Sequence, residues 1–258
     1  MRAMRSWAPA TWLGAVMAIG IVSLSIAAEG SPKQPTAPPV DQYRIESLEG
    51  WTCHVSPKLY EKEHEELRQQ TLRLVGNQLY SIRLLVAEDR LRELTKVPLW
   101  IDLDSPLRNL QYHPSRDWLV QHAHHGEMAK AVHLPNARYF VSPRHTNEQP
   151  WAILHELAHA YHDRVLGFDH REIEEAHERV KKEGLYDSVL HVVGDERKHY
   201  ALTNHKEFFA EMTEAYIGTN DFFPFVRGEL KRHDKATFEL LQKIWGEVGQ
   251  RRSPQESQ

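Results

Sequence analysis

Residues 150–167 read PWAILHELAHAYHDRVLG, and this stretch decides the fold of the second half of the chain. A proline opens the stretch and a glycine closes it, an arrangement that predicts one helix between them. Most of its positions are apolar, so the helix is expected to lie in the core. His155 and His159 are four residues apart and therefore face the same side of the predicted helix.

The spacing of these histidines is typical of a metal site. Two imidazoles one turn apart can bind the same ion, while Glu156 is rotated by about 100° and can reach a water on that ion instead. HExxH on a helix is the pattern of zinc metalloproteases. The chain holds 17 histidines, so a helix with two hydrogen-bonded histidines and no metal remains an alternative.

The residues directly after the motif do not supply a third ligand. In the pattern HExxHxxGxxH the last histidine would fall at position 165, which is a valine here. His162 lies about 60° further round the helix than His159, a poor angle for joining the same ion. We therefore expect His162 beside the site or at the surface, and not as a ligand.

Glutamates recur on one side of a second predicted helix, residues 204–217. Glu207, Glu211 and Glu214 fall at i, i+4 and i+7, and the positions between them include two phenylalanines and a methionine. One of these carboxylates is the best source of a third ligand, and a second one turn later could hydrogen-bond a ligand histidine on its far nitrogen. A solvated acidic stripe is the alternative.

Residues 200–211, YALTNHKEFFAE, resemble the third-ligand helix of the catalytic domain of anthrax lethal factor and its relatives, the secreted Pro-Pro endopeptidases. HELAH at 155–159 matches the first motif of that family, and the resemblance covers residues 151–217. It implies that Glu207 is the third zinc ligand and that Tyr200 helps to stabilise the transition state. Glu211 is then assigned to the shell behind the ligands.

The resemblance implies a metalloendopeptidase with one Zn²⁺ and a peptide or protein substrate. His155, His159 and Glu207 would hold the ion, and Glu156 would act as general base. Three alternatives stay open: a zinc hydrolase or exopeptidase of a small substrate, an exported non-catalytic binding protein stabilised by zinc, and a metal-free helical interaction protein.

The rest of the chain sets the domain organisation. Residues 1–28 read as a signal peptide or an anchor, 29–41 as a disordered proline-rich linker, 42–249 as the peptidase domain and 250–258 as a disordered tail. The protein is therefore expected to be exported, with no membrane contact once the leader is removed. A formal net charge of −4 gives no sign of nucleic-acid binding.

The order of predicted elements favours an α+β fold: a two-lobed zincin-like metallopeptidase domain with a small mixed sheet and a mainly helical C-terminal half. No strand–helix alternation is apparent, which argues against a βαβ fold. The predicted strands are 51–55, 98–104, 131–134 and 138–141, and the predicted helices are 57–75, 79–94, 150–166, 171–182, 204–217 and 235–248.

Three further segments have possible roles at the site. Residues 131–134 or 138–141 could form an edge strand that pairs with an extended peptide. The polar segment 111–127 reads as a loop, and its His122, His124 and His125 could hold a second metal. The sequence FFPF at 222–225 could line a subsite or belong to the core.

Overall fold

The computed structural model describes residues 38–249, apart from Pro106 and Arg108. The predicted leader, the predicted tail and the part of the linker before residue 38 lie outside the described residues. The described residues belong to one compact unit. Within that part of the chain, no helix combines the length and the apolar character needed to cross a bilayer.

The structure consists of short strands followed by a larger set of helices. The strands are β1 (Arg44–Leu48), β2 (Trp51–Val55), β3 (Leu99–Ile101), β4 (Gln111–Tyr112), β5 (Val132–Leu134), β6 (Val189–Leu190) and β7 (Glu196–Arg197). The α-helices are α1 (Glu65–Leu85), α2 (Glu88–Leu94), α3 (Arg116–Gln121), α4 (Ala137–Phe140), α5 (Pro143–Glu148), α6 (Ala152–Tyr161), α7 (Arg171–Glu183), α8 (His205–Ile217), α9 (Arg227–His233) and α10 (Lys235–Trp245).

Five strands form one mixed sheet in the order β1-β2-β3-β5-β4, and β6 and β7 form a separate hairpin. The pairs β2–β3 and β3–β5 are parallel, whereas β1 and β4 run antiparallel at the two edges. The predicted small mixed sheet and mainly helical second half are confirmed. The expectation that strands and helices do not alternate is wrong, because α1 and α2 connect β2 to its parallel neighbour β3.

Both faces of the sheet are covered. Alternate residues of β2, such as Trp51 and Cys53, are fully buried in the main core with α1 and α6. Trp100, which breaks the polar–apolar alternation of β3, lies on the opposite face in a smaller cluster with Tyr43, Leu119, Met128 and Ala131. A strand buried on both faces reads as a continuous apolar run, which explains the exception.

The first long helix extends further than its sequence suggests. The predicted break between residues 75 and 79 does not occur, and α1 continues to Leu85 after 3-10 turns at Pro57–Tyr60 and Lys62–His64. Thr71, Val75, Leu79 and Ile82 form one continuous buried row with helical spacing. The glycine between residues 75 and 79 does not move this row to another face of the helix, so the helix continues past it.

Two segments near the site differ from the predicted strands. Residues 138–141 fall mostly in the short helix α4, because the side chain of Asn136 accepts the backbone N–H of Tyr139 at 2.9 Å and caps that helix. β5 forms as predicted at residues 132–134, but it is paired on both sides and is not an edge. The edge beside α6 is β4.

Several other segments predicted as irregular are ordered. The stretch 111–127 contains β4 and α3, and Ser115 caps α3 by accepting the N–H of Trp118. Residue 38 onward is folded as well: Val40–Gln42 makes a 3-10 turn, and His125 Nε2 donates to the Pro38 carbonyl at 2.7 Å. No sequence pattern predicted β1, α9 or the β6–β7 hairpin.

The predicted helices around the motif are confirmed with small changes at their ends. The helix that begins at α6 continues through a π-helical turn, His162–Leu166, and stops at Gly167, whose φ of +85° suits glycine. Helices α7 and α8 match their predicted ranges within one residue. Helix α8 packs directly against α6, which brings the glutamate stripe to the histidines.

A close contact at the end of α8 gives the first prediction. A Cβ atom on Gly218 would lie 2.3 Å from Cδ2 of the Trp151 indole, which precedes α6. Gly218→Ala is therefore expected to lower the free energy of unfolding by about 1–3 kcal/mol through overpacking. Urea unfolding measures this loss. Gly228→Ala in α9 is the control, because a Cβ there meets nothing within 4 Å, and an equal loss in both variants would contradict the argument.

Candidate metal centre

The two histidines of the motif and one glutamate converge between α6 and α8. Glu207 lies in the first turn of α8, where the side chain of Asn204 accepts the N–H groups of residues 206 and 207 at 2.9 and 3.0 Å. This cap fixes the start of α8 and so places Glu207 opposite His155 and His159. The structure thus brings together the three residues that the sequence assigns as ligands.

Three donor atoms form a nearly regular triangle. The Nε2 atoms of His155 and His159 lie 3.1 Å apart, and Glu207 Oε2 lies 3.2 Å from the first and 3.3 Å from the second. A tetrahedral ion with bonds of about 2.0–2.1 Å has ligand–ligand edges of about 3.3–3.4 Å. The triangle therefore has the size of one tetrahedral face, and these residues could hold a metal ion.

The far nitrogen of His155 has a carboxylate partner. Its Nδ1 donates to Oε1 of Glu214 at 2.7 Å, which leaves Nε2 as the atom that faces Glu207 and His159. The sequence assigned this outer position to Glu211, but Glu211 Oε1 is 3.6 Å from Nδ1 and makes no hydrogen bond to it. Glu211 and Glu214 lie on the same side of α8, and the way α8 packs against α6 brings only Glu214 within hydrogen-bond distance of Nδ1.

Pairing between the histidines and the carboxylates outweighs burial in this cluster, so that the pKa of His155 is raised and the pKa of Glu207 is lowered. Burial opposes the charge on His155, but hydrogen bonds with Glu207 and Glu214 outweigh it and raise the pKa of His155 well above its usual value. Burial likewise opposes the charge on Glu207, yet its contacts with His155 and His159 lower the pKa of Glu207 far below its usual range. A metal ion at His155 Nε2 would therefore displace a proton.

Glu156 is buried beside the triangle and is held from the sheet edge. Its Oε2 accepts the backbone N–H of Tyr112 in β4 at 2.7 Å. Burial raises the pKa of Glu156, although His155 and His159 partly offset this effect. A buried carboxyl with a raised pKa suits proton transfer near neutral pH.

Tyr112 is itself anchored by residues that the sequence did not single out. Its hydroxyl donates to Oδ2 of Asp163 at 2.7 Å, and Lys130 Nζ donates to the same oxygen at 2.5 Å. No side-chain pattern could indicate this role, because Tyr112 reaches Glu156 through its backbone. Asp163 and Lys130 fix Tyr112, and Tyr112 in turn fixes the Glu156 carboxylate.

Tyr200 lies on a 3-10 turn, Tyr200–Leu202, directly before the cap of α8. Its side chain is 48% exposed and lines the same cavity as the triangle. Burial and the charge of Glu207 raise the pKa of Tyr200, so its hydroxyl remains protonated at neutral pH. Tyr200 can therefore donate a hydrogen bond into the cavity.

The cavity in front of the triangle has a volume of about 800 Å³. One wall contains residues of β4, and another contains α5 and His191 of the segment between β6 and β7. Phe222 also lines it, whereas Phe223 packs against Phe225 and His233. A space of this size suits a segment of several residues or a small organic molecule.

Two other histidine predictions are corrected. His162 is not at the surface, and it is neither part of the donor triangle nor part of the cavity lining. It is fully buried against Phe168 and Phe209, with no hydrogen-bond partner for either ring nitrogen among the described residues. In the part of the chain that the structure describes, His122, His124 and His125 do not belong to any group that could hold a metal. His122 instead stacks on Trp118.

The Glu214 contact gives a second prediction. Glu214→Gln removes the negative charge behind His155 and is expected to weaken zinc binding about 10–100-fold, since outer carboxylates orient ligand histidines and raise their basicity. Competition with a chromophoric chelator measures the affinity. Glu211→Gln is the matched comparison on the same helix. A larger loss in Glu211→Gln than in Glu214→Gln would contradict the assignment.

Buried neutral histidines give a third prediction. Burial is the main cause that lowers the pKa of His113, His162 and His199 to about 3 each. The unfolded chain binds these protons near pH 6.5. The contribution of the three neutral rings to the free energy of unfolding is therefore complete above that pH, and it is lost as the pH falls from 6.5 towards 3. Each histidine is expected to cost about 2 kcal/mol at pH 5.

This loss can be measured as the free energy of unfolding in urea between pH 8 and pH 5, with a chelator present so that metal release does not contribute. The variant His162→Leu should show a shallower pH dependence than the parent. An unchanged slope in His162→Leu would contradict the role of this ring.

The donor triangle, two nitrogens and one oxygen, lines the cavity. No family model, curated protein or solved structure matches the chain.

Proposed function

We propose that this chain is an exported zinc metalloendopeptidase with a two-lobed zincin-like fold, related to the lethal factor and Pro-Pro endopeptidase family that residues 151–217 resemble. The observation that supports this most is the triangle of His155, His159 and Glu207, with the Glu156 carboxyl beside it and a large cavity in front. A structural zinc site has no need for a second buried carboxyl, beside that of Glu207, that does not bind the ion.

Zinc is the ion that this donor set favours. Two imidazole nitrogens and one carboxylate oxygen at tetrahedral spacing match the ligands of known catalytic zinc sites, whereas magnesium and calcium prefer sets of oxygens. When bound, the ion would supply Lewis acidity to a carbonyl oxygen and lower the pKa of a water molecule.

Glu156 would act as the general base and later as the general acid. With Oε2 held by the N–H of Tyr112 at 2.7 Å, Oε1 is the oxygen that would take a proton from the attacking water. The same oxygen would then deliver the proton to the leaving amine. The raised pKa that burial gives to Glu156 supports both transfers.

Tyr200 would donate its hydroxyl to the oxygen on which negative charge develops. The role comes from the resemblance, and the position of Tyr200 on the cavity wall is compatible with it. The half-exposed ring leaves room for a substrate carbonyl to approach.

The substrate is expected to be an extended peptide. The cavity is bordered by β4, whose outer edge has no further strand among the described residues. We therefore assign the edge-strand role, first considered for residues 131–134 or 138–141, to residues 111–112. A cleft beside a strand edge without a partner strand can bind a peptide through backbone groups other than the Tyr112 N–H, which Glu156 already accepts.

Digestion of a peptide library tests the proposal directly. Protein loaded with one equivalent of zinc is expected to cleave internal peptide bonds, to stop after chelation with 1,10-phenanthroline and to recover when zinc is added back. Release of terminal residues only would indicate an exopeptidase. Bound zinc without any cleavage would indicate a non-catalytic protein, and absence of bound zinc would contradict the metal site itself.

A further inference from the structure

His199 directly precedes Tyr200 and holds the turn on which Tyr200 lies. Its ring Nδ1 accepts the backbone N–H of Ala201 at 3.1 Å, and its carbonyl accepts the N–H of Leu202 at 3.1 Å. Its own N–H donates to the Tyr186 carbonyl at 3.0 Å. The Nδ1 contact joins the residue before Tyr200 to the residue after it, so it closes a ring of atoms around the Tyr200 backbone. His199 therefore restricts both backbone dihedral angles of Tyr200.

The backbone of this turn directs the Tyr200 side chain. The side chain lines the cavity and is 48% exposed, so packing holds the ring only in part. The Tyr200 carbonyl accepts the N–H of Thr203 at 3.0 Å, which completes the turn in front of α8. The backbone dihedral angles set the Cα–Cβ direction and limit the allowed rotamers. The position of the Tyr200 hydroxyl in the cavity thus depends on the His199 contact.

The His199 ring is enclosed by aromatic side chains and cannot touch a substrate. It is buried, stacks on Phe222 with 4.7 Å between ring centroids, and lies nearly perpendicular to the Tyr186 ring at 5.2 Å. Phe222 lines the cavity, whereas His199 does not. Among the described residues, His199 also belongs to no group with metal-ligand spacing. Any effect of His199 on the reaction must therefore act through residues that do line the cavity.

The Nδ1 atom is available as an acceptor at neutral pH. Burial lowers the pKa of His199 to about 3, so the ring is neutral, and its proton lies on Nε2 because Nδ1 accepts from Ala201. Glu211 Oε2 is 3.8 Å from Nδ1, which is beyond hydrogen-bond distance. The position requires a flat ring between Phe222 and Tyr186 and also an acceptor that reaches the second N–H along the chain. Phenylalanine would offer only the ring, and asparagine only the acceptor.

We infer that His199 is a positioning residue for Tyr200: its ring fixes the turn that directs the Tyr200 hydroxyl towards a reacting carbonyl, so that His199 contributes to turnover and not to the binding of zinc or peptide. The inference rests on the proposed function and adds a positioning residue to its mechanism. A displacement of about 1 Å at the site can cost about 10²-fold in rate, so a residue outside the cavity can have a large effect. In a merely structural role, the same contact would change stability alone.

Two variants at position 199 separate the ring from its acceptor. His199→Phe keeps the stacking and removes Nδ1, and it is expected to lower kcat about 10–100-fold with unchanged KM and unchanged bound zinc. His199→Asn keeps an acceptor for the same N–H, as in an Asx-turn, and is expected to recover part of kcat. His54→Phe is the matched control that should leave kcat unchanged, since His54 stacks on Trp100 at 4.3 Å and lies outside the cavity lining.

A double-mutant cycle tests whether His199 acts through the Tyr200 hydroxyl. Tyr200→Phe alone is expected to lower kcat about 10²–10³-fold, the typical effect of one lost oxyanion donor. Addition of His199→Phe to this variant should then lower kcat no further, because the group that His199 positions is already absent. A second loss that multiplies the first would overturn the inference, and so would a parental kcat in His199→Phe.

Crystal structures test the positioning role without hydrolysis. In zinc-loaded His199→Phe protein, the Tyr200 side chain is expected to lie at least about 1 Å from its place in the parent, a displacement large enough to slow the reaction. An unchanged Tyr200 would overturn the inference and leave the peptidase proposal intact. A displaced Tyr200 in a protein whose parent cleaves no peptide would support the control of the turn by His199 and contradict the proposed function.

Discussion

Replacement of Glu207 by alanine is expected to leave the purified protein without stoichiometric zinc. The carboxylate closes the donor triangle at 3.2 and 3.3 Å from the two imidazole nitrogens, and no other oxygen completes the same triangle among the described residues. The remaining histidine pair loses both a ligand and its negative charge. We expect the affinity for zinc to fall by more than about 100-fold, beyond the effect of an outer-shell change.

Zinc content by atomic absorption and affinity by chelator competition measure this effect. Glu211→Ala on the same helix is the matched control and should retain zinc. If Glu211→Ala loses the metal and Glu207→Ala keeps it, the ligand is Glu211 and the geometry around His155 must rearrange. Far-ultraviolet circular dichroism of the same samples shows whether a variant that has lost zinc is still folded.

Glu156→Gln is expected to keep zinc and to lose peptide hydrolysis. Glutamine has the shape of glutamate, and its amide oxygen can still accept the N–H of Tyr112, so the fold and the ligands should be preserved. It cannot accept a proton from water. The expected fall in kcat is about 10²–10⁴-fold, the typical contribution of a general base, with little change in KM.

The measurement requires variant protein with one bound zinc, so that metal loss does not imitate the loss of the base. Glu127→Gln, on the 3-10 turn Gly126–Met128, serves as a remote control that should leave kcat unchanged. Normal turnover in metal-loaded Glu156→Gln would contradict the mechanism and direct attention to another proton acceptor, such as the carboxylates of α8.

The helices at the site could be predicted from the sequence because their information is local. Helix α6 has the spacing of two histidines on one face, and the cap of α8 has Asn204 in front of its first turn. These patterns depend on the 3.6-residue repeat and on side chains near the helix ends. They suffice to place His155, His159 and Glu207 on facing surfaces once the helices pack.

Features that depend on tertiary packing could not be predicted in this way. The choice of Glu214 over Glu211 as the partner of His155 depends on the angle and offset at which α8 lies against α6. The contact of Tyr112 with Glu156 uses a backbone N–H, which any residue would offer. The edge position of β4 follows from the strand order, and two residues are too few to show a β pattern.

The wrong prediction of a strand at residues 138–141 has a related cause, because strand propensity is read from only a few neighbouring residues. A run of Tyr139, Phe140 and Val141 has strand propensity, but a single cap at Asn136 is enough to start a helical turn there. Local hydrogen bonds of this kind compete directly with strand pairing. The same competition, at Ser115, converts part of a predicted loop into α3.

The separation of the ligands along the chain has a consequence for stability. His155 and Glu207 are 52 residues apart, and the segment between them contains α7 and the β6–β7 hairpin. An ion held by both would act as a removable cross-link that closes this loop and restricts the unfolded chain. Resistance of residues 156–206 to proteases would then vary with the free zinc concentration, so the supply of metal would set the lifetime of the protein.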